Sequence, residues 1–319
     1  MLKDSFGRKI EYVRISLTDR CNLRCRYCMP EGGIEKLTAA QILTFAEIKR
    51  IIGIFEEIGI KKFRFTGGEP FLRNGSLDFF ESLNLRDFYV STNLSMKNLD
   101  IERINRLKPA GVNVSLDTLK PERFKHITRR GDINVFFENL AKLKVGNLKI
   151  NTVVMKDFNE DEIVDFINFA LKNNATIRFI EKMERINDSL EFVPLKKIKD
   201  SLIKSGIIDP QAWRENNSVA EYYSLKAGKG RVGFITPVTR PFCGNCNKFR
   251  LKATGDIKLC IFSGKNYSLR DVLRSEKSNK KIKAWLGDIV KTKPENMGAC
   301  SGRRESAPVL GEFMSSIGG

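Results

Sequence analysis

Six short runs rich in β-branched and aromatic residues, at 11–17, 60–66, 87–91, 112–116, 148–154 and 175–180, alternate with stretches of helical spacing. Strand and helix taken in turn build a parallel sheet with right-handed crossovers. Six such units fit a doubly wound sheet or an incomplete barrel, and periodicity does not separate the two. One helix is expected to begin at Thr38, where Gln41 completes a capping-box pattern. Its apolar stripe is Ile42, Phe45, Ile48, Ile52 and Phe55, and Gly59 supplies a C-cap. Another is expected over 159–173, with acidic residues in its first turn and Lys172 in its last.

After about residue 190 the pattern changes. A lysine-rich helix is expected over 194–205, then a hairpin of 218–225 and 230–236 joined by Lys226-Ala227-Gly228-Lys229, then helices near 269–274 and 281–291. The last residues, 301–319, are small, polar and Gly-rich, which is the composition of a frayed end. The shift suggests two parts, 1–217 and 218–319. A chain of 319 residues with 41% hydrophobic content supports a large core and is not disordered. No window of about 18 uninterrupted apolar residues is present, and residues 1–9 have no apolar signal core, so the expected location is the cytoplasm and no membrane partner is expected.

Thiols stay reduced in that compartment, so the seven cysteines read as metal or redox ligands rather than disulfides. The single histidine, His126, leaves little room for a multi-His metal site or Cys–His catalysis. The 56 Lys and Arg outnumber 38 Asp and Glu, giving +18 with the histidine neutral. That excess suits an anionic partner such as a phosphorylated small molecule. The lysines are scattered and no basic run stands out, so nucleic acid is not expected.

Two cysteine sets carry the chemistry. Cys21, Cys25 and Cys28 form C-x3-C-x2-C directly after the first strand. Thiolates so crowded can hold an iron–sulfur cluster, and three ligands on a four-iron cube leave one iron open. Cys243, Cys246 and Cys260 form C-x2-C-x13-C. Structural zinc is the competing reading there, because C-x2-C is a common zinc half-site. Cys300 could complete such a site, but it lies far along a polar stretch and is not expected to be a ligand.

These sets, with Gly67-Gly68-Glu69-Pro70 after the second strand, resemble the radical S-adenosylmethionine (SAM) superfamily. Thr18-Asp19-Arg20-Cys21-Asn22, Asn113-Val114-Ser115-Leu116-Asp117, Arg178-Phe179-Ile180-Glu181, Phe242 before the second set, Asn247-Lys248-Phe249-Arg250-Leu251 after it and the closing Ile317-Gly318-Gly319 are similar to the GTP 3′,8-cyclase family of molybdenum cofactor biosynthesis. The resemblance covers essentially the whole chain. It implies an α/β fold, an incomplete (β/α)6 TIM-type barrel with a C-terminal region carrying the second cluster. It implies two [4Fe–4S] clusters and SAM as cofactors, and GTP as substrate. The implied reaction cleaves SAM to a 5′-deoxyadenosyl radical and cyclises GTP to (8S)-3′,8-cyclo-7,8-dihydroguanosine 5′-triphosphate.

By the same resemblance, Cys21, Cys25 and Cys28 hold the first cluster and Cys243, Cys246 and Cys260 the second. Tyr27, Gly68, Ser115 and Met183 contact SAM. Arg14, Arg64, Ser91, Lys149, Arg178, Lys248, Phe249 and Arg250 contact GTP, and the tail Gly318-Gly319 reaches the active site beside Arg250. Residue chemistry agrees in part: Arg14, Arg64 and Arg178 sit inside strand-like runs, where a charge is costly unless paired or liganded. The implied partner is cyclic pyranopterin monophosphate synthase, the next pathway enzyme; a homodimer is left open. The chain departs from the family pattern at Lys248, where arginine is usual, and at Leu94, where glycine is usual, and its spacing leaves Ser91 and Thr92 as alternatives.

Overall fold

The computed structural model describes residues 1–35, 37–83, 85, 87–183, 192–215, 218–226, 228, 230–301 and 312–318. The strands are β1 (Tyr12–Ser16), β2 (Lys62–Thr66), β3 (Phe88–Thr92), β4 (Gly111–Ser115), β5 (Leu148–Val154), β6 (Thr176–Glu181), β7 (Ile208–Trp213), β8 (Glu221–Leu225), β9 (Arg231–Ile235), β10 (Lys248–Leu251), β11 (Asp256–Lys258) and β12 (Tyr267–Ser268). The helices are α1 (Phe45–Glu57), α2 (Ser76–Glu81), α3 (Ile101–Leu107), α4 (Pro121–Thr128), α5 (Ile133–Lys142), α6 (Ile163–Lys172), α7 (Leu195–Lys204), α8 (Leu269–Ser275), α9 (Asn279–Lys291) and α10 (Gly298–Ser301). All six expected strands form, within two residues of their expected ends.

The strands make one sheet in the order β12-β11-β10-β1-β2-β3-β4-β5-β6-β9-β8-β7. The run from β10 through β1–β6 to β9 is parallel throughout. The sheet does not close on itself, so the architecture is the expected incomplete barrel of TIM type. Strands from both sides of residue 217 share this sheet: β9 lies against β6, and β10 lies parallel beside β1.

Alternation along the strands explains why a barrel forms. A doubly wound sheet buries both faces, so its strands are apolar throughout. Here β1 reads Tyr-Val-Arg-Ile-Ser: Val13 and Ile15 are fully buried in the core, while Tyr12 and Arg14 line a cavity on the other face. The core-facing layer is aromatic. Phe65 meets Phe80 edge-on at 5.2 Å and Phe80 stacks on Phe88 at 5.7 Å, with α2 as the support.

The helix expected from Thr38 is corrected. The Thr38–Gln41 box closes only a single 3-10 turn, and α1 starts seven residues later. Thr44 caps it, accepting from Glu47 N at 3.1 Å, while Glu47 returns a carboxylate to Thr44 N at 2.7 Å. The second box wins because it aligns Ile48, Ile51, Ile52 and Phe55 against the sheet. The helix expected over 159–173 likewise begins as a 3-10 turn and becomes α6 only at Ile163. The hairpin of β8 and β9 is as expected, and β7 adds to it an antiparallel strand that the sequence reading did not contain.

Candidate active site

A cavity of about 640 Å³ runs inside the barrel, within the size range of small-molecule sites. The first thiol set borders it at the C-terminal ends of the strands, the usual active edge of such barrels. Cys243 and Cys246 precede β10, which runs parallel to β1. The second set therefore enters the cavity from the opposite, N-terminal end of the strands. The sequence reading placed its motifs along one edge; the fold gives the cavity two chemically equipped ends.

The first end is built by close backbone apposition. Gly68 N donates to Thr18 O at 2.7 Å, and Glu69 N to Arg20 O at 2.8 Å. A Cβ on Gly68 would lie 2.2 Å from Arg20 O. The glycine thus makes room for the chain entering the cysteine loop, as well as for a ligand. Glu69 is fully buried and accepts from Thr92 Oγ1 (2.8 Å), Asn93 N (2.7 Å) and Phe71 N (3.3 Å). Burial pushes its carboxyl up to about 7 despite these donors. It ties the end of β2 to the end of β3, and Asn93 Nδ2 then donates to Cys21 Sγ at 3.5 Å. Sequence reasoning assigned Glu69 no role, although it lies inside the quoted motif. Replacing Gly68 with Ala is expected to cost about 3 kcal/mol or more, the scale of a rigid steric conflict. Iron uptake by the first thiol set should fall with it, and iron content plus thermal unfolding check this.

The donor set fits a cluster. Burial, then Cys28, Asp117 and Cys21, push the Cys25 thiol well up, and burial with Glu69 raises Cys21 to about 11. Buried thiols crowded this way ionise when a metal supplies positive charge. Among the described residues, no three His, Cys, Asp or Glu side chains gather round one point as a single metal ion requires. A four-iron cube, which takes thiolates at its corners, asks for wider spacing. Tyr27 donates its hydroxyl to Asp117 Oδ2 at 2.7 Å, and Asp117 Oδ1 accepts from Val153 N at 2.9 Å. Ser115, at the end of β4, and Met183 also border this end of the cavity.

Between the two ends lies a ring of cations. Arg14, Arg64, Lys149, Arg178, Lys248 and Arg250 all border the cavity, on β1, β2, β5, β6 and β10. Register brings them together: Arg14 pairs with Arg64 on one side and with Arg250 on the other. Burial, then Arg250, lowers Arg14 to about 9, and burial lowers Lys248 to about 8. Tyr12 stands among them, accepting from Arg64 Nε at 2.7 Å. Burial would raise its phenol, but Arg64, Arg14 and Lys248 together bring it down to about 7. Neither Tyr12 nor Lys62, whose ammonium sits 4.3 Å from the Tyr89 ring centroid, was singled out in the sequence. Cations that depress one another in a low-dielectric cavity favour a polyanionic ligand. Ser91 borders the cavity and lies within 3.5 Å of Arg64 Nη1, whereas Thr92 spends its hydroxyl on Glu69.

Phe249 also borders the cavity, while its ring meets Phe55 of α1 edge-on at 5.3 Å in the core. Period-two alternation puts Lys248 and Arg250 on the cavity face and leaves the Phe249 ring packed toward α1. Leu94, at the family's glycine position, holds φ +55°, a conformation glycine adopts without strain.

The chain end is seated in the site. Arg250 Nη1 donates to Gly318 O at 2.6 Å and Ile317 O at 3.4 Å, and Ile317 is buried. Gly318 has φ +73°, and a Cβ there would lie 2.8 Å from Thr66 Cγ2. Gly319 lies outside the described residues. Glu312 anchors this tail through Lys252 Nζ and Lys258 Nζ, both at 2.6 Å. Burial acts upward on Glu312, but the two ammonium groups more than offset it and hold the carboxyl at about 2. The carboxylate is thus ionised more easily in the fold than in the open chain, where about 4.3 is usual. Its contribution is complete above that value and fades as pH falls toward 2. Glu312→Ala is expected to loosen the tail and reduce turnover at the site about 10- to 100-fold, from roughly 1.5–3 kcal/mol of charge-assisted hydrogen bonding. Amide hydrogen exchange at 312–318 beside product yield checks it.

Comparisons with known proteins agree with this geometry. Residues 15–170 match the family model of the radical SAM superfamily, and residues 175–299 match that of Molybdenum Cofactor Synthesis C. A GTP 3′,8-cyclase of Syntrophomonas wolfei is 40% identical, over 91% of this chain and 93% of its own. That of Thermodesulfovibrio yellowstonii is 38% identical over 100% of both chains. Molybdenum cofactor biosynthesis protein 1 of Drosophila melanogaster is 40% identical over 92% of this chain, which spans 54% of that longer protein. Among solved structures, Streptococcus suis SuiB bound to S-adenosylmethionine superposes with a TM-score of 0.63 at 15% identity, over 97% of this chain and 72% of that one, a likeness of fold. Full-length identity at this level, on a barrel with two thiol sets facing one cation-lined cavity, places the chain in the GTP 3′,8-cyclase family of radical SAM enzymes.

Proposed function

We infer that this chain is a radical SAM enzyme that cyclises GTP to (8S)-3′,8-cyclo-7,8-dihydroguanosine 5′-triphosphate, the first step of molybdenum cofactor biosynthesis. The observation that carries the reading is the cavity itself, with a thiol trio at each end and buried cations between.

Cys21, Cys25 and Cys28 hold one [4Fe–4S] cluster, and Cys243, Cys246 and Cys260 the other. Bound there, the clusters supply one-electron chemistry, reductive cleavage of SAM at the first end and electron exchange with substrate at the second. Gly68, Tyr27, Ser115 and Met183 surround SAM at the first end. Asp117 keeps the Tyr27 hydroxyl fixed, and Glu69 holds the loops of β2 and β3 in place. Arg14, Arg64, Lys149, Arg178, Lys248 and Arg250 would neutralise the triphosphate and hold the nucleotide in one orientation in the cavity. Gly318, pinned by Arg250, would narrow the cavity and exclude water from it. The part before residue 218 supplies the SAM end, and the part after it supplies the second thiol set and the tail. The product passes to cyclic pyranopterin monophosphate synthase. The protein works in the cytoplasm, where its thiols stay reduced, as a monomer or homodimer. Among the described residues no helix is long and apolar enough to cross a membrane.

The test is anaerobic. Protein reconstituted with iron and sulfide receives dithionite, SAM and GTP, and the products are analysed by mass spectrometry. Deoxyadenosine together with a cyclised isomer of GTP supports the assignment; deoxyadenosine unstimulated by GTP, with GTP unchanged, overturns the substrate.

A further inference from the structure

We propose that Tyr12 is a positioning residue for the polyphosphate of the nucleotide, acting through Arg64. The proposal rests on the reading that GTP is the substrate. On the adjacent strands β10, β1 and β2, cavity-lining residues form two levels. Lys248, Tyr12 and Lys62 are register partners in one level, and Arg250, Arg14 and Arg64 in the next. Alternation along each strand turns both levels to the same face. Five of these six side chains are cationic, and Tyr12, the neutral one, occupies the middle of its level.

The ring of Tyr12 separates two ammonium groups. Lys248 Nζ lies 5.2 Å from its centroid and Lys62 Nζ 5.5 Å. Each ammonium meets a second ring as well, Phe242 at 5.7 Å for Lys248 and Tyr89 at 4.3 Å for Lys62. Aromatic faces attract cations that otherwise repel one another across neighbouring strands. A cation in place of Tyr12 would remove that face and add a third charge to the level.

The hydroxyl acts on Arg64, accepting from its Nε at 2.7 Å. On the other side, Arg64 Nη1 reaches Val90 O at 3.4 Å and Ser91 Oγ at 3.5 Å, and the Tyr89 ring centroid lies 5.0 Å from the guanidinium carbon. The guanidinium is thus held between β1 and β3, and the bond to Tyr12 is the shortest of these hydrogen bonds. A guanidinium grips a phosphate through a planar fork, so the setting of its plane decides how well it grips. Tyr12 fixes that plane.

The experiment measures the Kd of GTP and of inorganic triphosphate for the reconstituted full chain, without reductant so that no turnover occurs. Iron content and the Kd of SAM are measured alongside. Tyr12→Phe keeps the ring and removes the hydroxyl. It is expected to weaken both polyphosphates about tenfold, the scale of one lost hydrogen bond to a charged group. Iron content and SAM affinity should stay unchanged. Tyr12→Leu, which removes the ring too, should lose more. In an Arg64→Ala background, Tyr12→Phe should add less than about twofold, because the two residues act as one unit. An unmoved Kd in Y12F overturns the proposal. An equal loss on both backgrounds overturns it as well, since Tyr12 would then act without Arg64. Lost iron or weakened SAM binding in Y12F overturns it by showing a general structural role. A parent chain that binds neither polyphosphate sinks the substrate reading, and this proposal with it.

Discussion

Arg250→Ala is expected to stop cyclisation of GTP while SAM cleavage continues at a reduced, GTP-insensitive rate. Arg250 lines the cavity beside Arg14 and is the donor that seats the chain end, reaching Gly318 O at 2.6 Å. Removing it takes away a buried positive charge and the contact that closes the site. The loss in product formation should be about 10²–10³-fold, the scale of deleting one positioned donor from a closed active site. Arg250→Lys should recover part of that loss: the charge remains, but one ammonium cannot reproduce the guanidinium fork. Deuterium transfer from the 3′ carbon of labelled GTP into deoxyadenosine separates a binding defect from a later one. Full transfer and full product yield in the Ala variant would show that Arg250 does not position the substrate.

Cys25→Ser should remove SAM cleavage altogether and leave GTP binding nearly intact. Cys25 is crowded by Cys28, Asp117 and Cys21. A serine hydroxyl in so buried a place cannot supply the thiolate that an iron ligand requires. Iron content should fall to the level of one cluster, and deoxyadenosine should drop below detection. The cations proposed to bind the triphosphate stand on β1, β2, β5, β6 and β10, so the Kd for GTP should change less than about threefold, within about 0.7 kcal/mol. A large loss of GTP affinity would mean that the two ends of the cavity are coupled more tightly than their separation suggests.

These expectations divide along a physical line. Chemistry concentrated in a short stretch was readable directly. C-x3-C-x2-C and Gly67–Pro70 are local patterns, and the strands they follow form within two residues of their expected limits. Local signals compete, however. Two capping boxes stand six residues apart, and only packing of Ile48, Ile51, Ile52 and Phe55 on the sheet decides that the helix begins at the second.

What needed the fold is pairing between distant segments. Sequence alone determined the six β/α units, the two thiol trios, the arginines inside strands and the Gly-rich end, because each depends on residue type and short-range period. Its periodicity left open whether the sheet winds or curls. The tertiary structure decided that when β10 paired parallel with β1 and set Tyr12 beside Lys248 and Arg14 beside Arg250. That register sends the second thiol set to the N-terminal end of the strands, turns Phe249 into the core, and carries Glu312 and Gly318 to their partners. Strand register is a long-range choice made by burial and hydrogen bonding across the whole sheet, so no window of sequence contains it.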